Sequence, residues 1–165
     1  MKPALRTLGI VAVALVLQTT LSRFLVRGAV GVDLVLVAVV FVSLRSGSSA
    51  GILTGSVAGL AQDALSTGIV GVGGLAKAIV GYLAGTVGRA FIVAQPLPRF
   101  MVFLAATAIE RTVVEGFHLV LEPGPHLVPF GAILAQALGN ALVGVVLFQV
   151  VESVPRALER RRAGR

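Results

Sequence analysis

Residues 47–68 read GSSAGILTGSVAGLAQDALSTG. Within them Gly47, Gly51, Gly55 and Gly59 recur four apart, and Asp63 falls at the next step of the same spacing. On an α-helix such positions share one face, so the glycines form a groove without side chains. A neighbouring helix can approach that groove closely and gain dispersion contact, which matters most in a bilayer, where no hydrophobic force acts between helices. The stripe fits two uses, packing inside this protein or docking of a partner's helix.

The surrounding chain gives that helix its setting. Hydrophobic residues make up 56% of the 165 residues and charged residues 13%, and the mean hydropathy is +0.98. A soluble domain exposes much of its surface and covers it with charge, so the composition points to a polytopic membrane protein. A spanning helix needs about 20 residues, and the chain divides into apolar runs of roughly that order. They are Leu5 to Leu21, Val32 to Leu44 (extended back through Gly28), Gly47 to Leu65, Ile69 to Gly88, Phe100 to Leu121, and Leu127 to Val151. The expected fold is all-α, a compact bundle of six transmembrane helices over residues 1–152, with a short basic tail at 153–165. The stretches Gln95-Pro96-Leu97-Pro98-Arg99 and Glu122-Pro123-Gly124-Pro125-His126 are expected loops.

Charge placement suggests an orientation. Lys2, Arg6, Arg45, Arg89, Arg99 and the tail arginines gather on one side of a six-span arrangement. By the positive-inside rule that side is cytoplasmic. The expected location is the bacterial cytoplasmic membrane, multi-pass, with both termini inside. Arg156, Arg160, Arg161 and Arg162 follow the last apolar run, where they can meet anionic lipid headgroups. No aromatic residues interleave with them to stack on bases, which argues against nucleic acid.

Several polar residues sit inside the apolar runs, where an ionised group is expensive and normally paired. Asp63 is expected near an interface, with Lys77 on the next helix as its basic partner. Arg111 and Glu115 are four apart and can pair along one helix face, with Glu110 beside them. Gln136 and Asn140, also four apart, can bond across helices. Together these form an expected buried or interfacial polar network. Signals for chemistry are poor. Cysteine is absent, so thiolate metal sites are excluded. His118 and His126, near Glu115 and Glu122, have no metal-binding helix motif, and neither a nucleophile elbow nor a phosphate-binding glycine loop is present. No catalytic residue, metal or cofactor is expected.

Gly59-Leu60-Ala61-Gln62-Asp63, a glycine-containing turn, and then Leu75 through Ile79-Val80-Gly81-Tyr82-Leu83 resemble a segment of the MreD family. Gln136 and Asn140 sit in the last helix at a similar place. The resemblance runs nearly end to end, although this tail is unusually rich in arginine. It implies a non-catalytic adaptor of the bacterial rod-shape complex, the elongasome. Its implied partners are MreC, and through it MreB, RodA and a penicillin-binding transpeptidase. The family's fold is also similar to the vitamin-binding subunits of energy-coupling-factor transporters, which supplies a competing reading. Such a subunit needs a polar and aromatic outer pocket, and this chain has no Trp and one Tyr.

Overall fold

The computed structural model describes residues 2–24, 31–66, 69–90, 95–121 and 128–163; the side chains of 2–4, 6, 21–24 and 154–163 lie outside that description. So do Arg27, Glu122, His126 and the side chains of Arg156, Arg160, Arg161 and Arg162. Six helices follow in order: α1 (Lys2–Phe24), α2 (Leu34–Ser46), α3 (Ser48–Ala64), α4 (Val72–Ala90), α5 (Pro96–Leu121) and α6 (Phe130–Ala163).

The sequence LVLVAVVFVSLRS makes α2 apolar on all sides, and a helix of that kind belongs in the interior. Every residue from Val35 to Ser43 is buried, and α2 touches each of the other five helices. Leu36, Val37, Val40 and Phe41 join Val80 and Ala84 of α4, Phe103 of α5 and Phe148 of α6 in the main apolar cluster. The Phe41 and Phe148 rings lie 4.6 Å apart at a tilted angle. Asp33 starts the helix as its N-cap, with Oδ1 accepting the Leu36 N–H at 2.9 Å. Residues 31–33, the described part of the expected backward extension, are not helical, and Asp33 is buried.

Gly47 alone joins α2 to α3. Its φ of +89° is a conformation that favours glycine, and its N–H donates to the Ser43 carbonyl at 2.8 Å. Helix α5 begins at Pro96, inside the stretch expected to be a loop. Pro96 and Pro98 fall in the first turn, where backbone N–H groups have no intrahelical partner to lose. Near that end Arg99 lies against the Phe148 ring, 4.4 Å from its centroid. Its guanidinium donates two hydrogen bonds to Glu152, at 3.0 and 2.6 Å, and so clamps α5 to α6.

The expected six-span bundle is corrected on its spans. The helix count stands at six, but only one described helix is long and apolar enough to cross a membrane, over Phe130–Ser153. Helices α2 and α3 have 13 and 17 residues, which at about 1.5 Å per residue fall short of a roughly 30 Å hydrocarbon layer. In α4, glycines together with Lys77 and Arg89 dilute the hydropathy, and α5 carries Arg99, Glu110, Arg111 and Glu115. The described side chains of α1 give a shorter apolar stretch, Thr7–Thr20. Chain-wide hydropathy concealed this, because it averages the fully buried α2 with helices broken up by glycine and charge. The expected multi-pass location, with both termini in the cytoplasm, is corrected with it: its inside–outside alternation required all six spans. The structure supports a membrane-associated helical protein. Leu134, Leu138, Leu142, Val146 and Val150 form an exposed apolar stripe along α6, the kind of surface that meets lipid or protein rather than water.

Candidate functional site: a buried polar junction

Several buried polar side chains converge where α2 begins. Lys77 reaches in from α4 and is 3% exposed. Its ammonium lies 3.0 Å from Asp33 Oδ2 and 2.7 Å from Glu110 Oε1 on α5. Helix α6 closes the junction with Asn140, which is fully buried. Asn140 Oδ1 accepts the Asp33 N–H at 2.8 Å, and its Nδ2 donates to Thr107 Oγ1 at 3.0 Å. Thr107 in turn donates to the Phe103 carbonyl one turn back. From α1, Gln18 Oε1 accepts the Leu34 N–H at 2.8 Å. From α3, the Gln62 amide approaches Asp33 Oδ2 at 3.5 Å. Every helix thus contributes to the junction. Two buried acceptors, Glu110 Oε2 and Gln62 Oε1, have no donor among the described residues.

The physical effect is one of registry. Removing these charges from water offsets most of their mutual attraction, whereas leaving any one of them unpaired costs several kcal/mol. An arrangement that slides α2, α4 or α5 by a turn breaks a Lys77 bridge, so the junction discriminates against misaligned packings of these three helices.

The structure separates Asp63 from Lys77, against the expected pair. Asp63 Oδ2 accepts backbone N–H groups from Gly71 at 2.8 Å and Gly74 at 3.2 Å. It therefore ties the start of α4 to the end of α3, favourably placed by charge against the helix N-terminus. Arg111 also takes a different partner. Its Nε donates to Gln136 Oε1 on α6 at 2.7 Å, and among the described residues no ion pair joins it to the half-buried Glu115. Gln136 and Asn140 thus each bond to another helix. His118 Nδ1 sits 2.9 Å from its own helix's Val114 carbonyl.

The glycine face of α3 is filled from within. A Cβ on Gly51 would run into the Gly81 carbonyl, one on Gly55 into the Lys77 carbonyl, and one on Gly59 into Gly73 and Gly74. Backbone meets backbone along most of this contact, and α3 against α4 is the most extensive helix pair in the fold. It also carries the Lys77 backbone close to α3 and so helps aim its side chain at Asp33. Gly47 stands apart as the connector, beside the Arg89 side chain.

Sequence reasoning missed Asp33, Thr107, Gln18 and Gln62 as members of the junction. Two signals were available. An Asp directly before an apolar run is an N-cap signature, and Thr107 lies three residues before Glu110, on the same helix face.

A model of the rod shape-determining protein MreD matches residues 3–156. The chain belongs to the MreD family. No curated protein and no solved structure matches it. Membership in MreD makes this a non-catalytic membrane protein associated with the elongasome, the assembly for rod shape. The junction agrees with that role in kind: its carboxylates and ammonium hold helices to one another. Among the described residues no group of three or more metal-ligating side chains gathers.

Proposed function

We propose that this protein is a membrane adaptor that binds MreC, and through it joins RodA, a penicillin-binding transpeptidase and MreB in directing lateral peptidoglycan synthesis. One observation carries the reading. The interior polar groups are largely engaged with one another, while large apolar side chains stand exposed on the outside of α1, α3, α5 and α6. A bundle with its polarity turned inward and its apolar faces outward is suited to contact with lipid and with apolar helices of other chains. Gly51, Gly55 and Gly59 serve this role indirectly, by fixing α3 against α4; that side of α3 has no room left for a partner. The basic residues Arg156, Arg160, Arg161 and Arg162 are proposed to rest against anionic headgroups, with no nucleic acid involved.

The test is affinity purification from the native membrane, read for proteins and for small molecules together. Stable recovery of MreC without a stoichiometric ligand is the expected result. A tightly held vitamin-like molecule arriving with an ATP-driven coupling module would overturn the proposal.

A further inference from the structure

Among the described residues the backbones of α1 and α6 do not come close, and the side of α2 between them forms the floor of an open groove of about 620 Å³. Its walls include Gly9, Val13 and Leu17 of α1 and Val143 and Leu147 of α6, over a floor that includes Val37 and Ala38 of α2. All its lining residues are apolar, so it offers no side-chain hydrogen bond to orient a polar ligand. One wall is α6, the helix able to cross a membrane, which puts hydrocarbon within reach of the groove.

Two turns beyond Ala38, on the same side of α2, the line of the groove reaches a charge. Leu34, Val37, Ala38, Phe41 and Arg45 follow helical spacing down one side of α2. The Arg45 guanidinium lies over the Phe41 ring, 5.5 Å from its centroid. Arg45 is exposed, and no carboxylate pairs with it among the described residues. Glu152, the acid at the end of the α6 span, is engaged by Arg99. Phe41 meets Phe148 on α6, so Arg45, one turn further on, stands level with the end of the Phe130–Ser153 span. That is the depth at which a phosphate sits when its acyl chain lies alongside the span.

We propose that this groove is a binding site for one anionic phospholipid, with an acyl chain along the α1–α2–α6 groove and the phosphate on Arg45. The charge at one end and the unbroken aliphatic lining favour a lipid over a partner helix.

The absence of Trp from the chain makes a clean fluorescence test possible. Val13→Trp places a single reporter at the groove, and Val146→Trp places one on the exposed stripe of α6 as control. Full-length protein in detergent is titrated with phosphatidylglycerol or phosphatidylcholine carrying brominated acyl chains, which quench Trp on contact. The expected result is saturable quenching at Val13→Trp with a roughly fivefold preference for phosphatidylglycerol, the factor one surface arginine supplies. Val146→Trp should show gradual quenching with no preference. Arg45→Gln should abolish the preference and Arg45→Lys should retain most of it. Gly9→Leu, at a position where an added Cβ meets nothing within 4 Å, should fill the groove and weaken saturable quenching. Equal quenching by the two lipids, a preference that survives Arg45→Gln, or saturable quenching unaffected by Gly9→Leu would each overturn the proposal.

Discussion

Replacing Lys77 with Met keeps most of the side-chain volume and removes the ammonium between Asp33 and Glu110. Both carboxylates are buried on the same nitrogen, at 3.0 and 2.7 Å. Without it they face each other in a site with little water. Removing one partner of a buried pair costs about 3–5 kcal/mol, and two like charges left together place Lys77→Met at the upper end of that range. Asp33→Asn is the informative second change. Asn caps a helix about as well as Asp, so α2 keeps its N-cap while the charge is lost. In the Asp33→Asn background Lys77→Met should cost about 2 kcal/mol less than alone, a coupling within the range for directly bonded groups. The same cycle run with Asp63→Asn should show no coupling, since Asp63 bonds to Gly71 and Gly74 instead. Reversible unfolding in mixed detergent micelles, followed by circular dichroism, measures the five variants against wild type. Additive losses for Asp33 and Lys77, or coupling between Asp63 and Lys77, would refute the junction as drawn.

Gly55→Leu should abolish folding or lower stability by more than about 3 kcal/mol, because the new side chain meets backbone that cannot yield; a stability within about 1 kcal/mol of wild type contradicts the close packing. Gly116→Ala, at an open position inside α5, should instead raise stability by about 0.5–1 kcal/mol in the same unfolding assay. Asp63→Ala should cost about 1–2 kcal/mol through the two lost backbone bonds, with hydrogen exchange rising first at Gly71 and Gly74. Arg99→Ala should loosen α5 from α6, and a disulfide trap between residues placed beside Arg99 and Glu152 should form more slowly than in wild type.

The helices themselves were legible because their apolar runs are separated by proline, glycine and charge. The glycine stripe read as a close-packing face, but a helix of this protein and a partner's helix fit it equally in sequence, and only the arrangement in space puts the α4 backbone against it. Depth in a membrane was not legible from hydropathy. Leu34–Ser46 scores as the most apolar helix because it is the protein's own core, and a buried core helix and a spanning helix have the same composition. Partner choice was the other failure. Asp63 and Lys77 looked adjacent in sequence order, but Asp63 finds donors in the backbone, which no residue pattern displays. Lys77 finds acids from helices before and after its own, and only the three-dimensional arrangement brings Asp33 and Glu110 to the same nitrogen.

The Asn140 link to Asp33 joins residues 107 positions apart, and this has a consequence for the order in which the molecule is made. The α3–α4 hairpin depends on near neighbours and can form soon after synthesis, as local contacts generally do. The first backbone donors of α2 have a different history. Leu36 is capped by the adjacent Asp33 at once, whereas the Asp33 N–H must wait for Asn140, which is made after nearly all the other helices. Throughout translation the nascent bundle therefore carries an open seam at the head of its central helix. A ribosome stalled before α6 would leave a chain whose Asp33 N–H has lost its Asn140 acceptor, so the head of its central helix stays open until the last helix arrives.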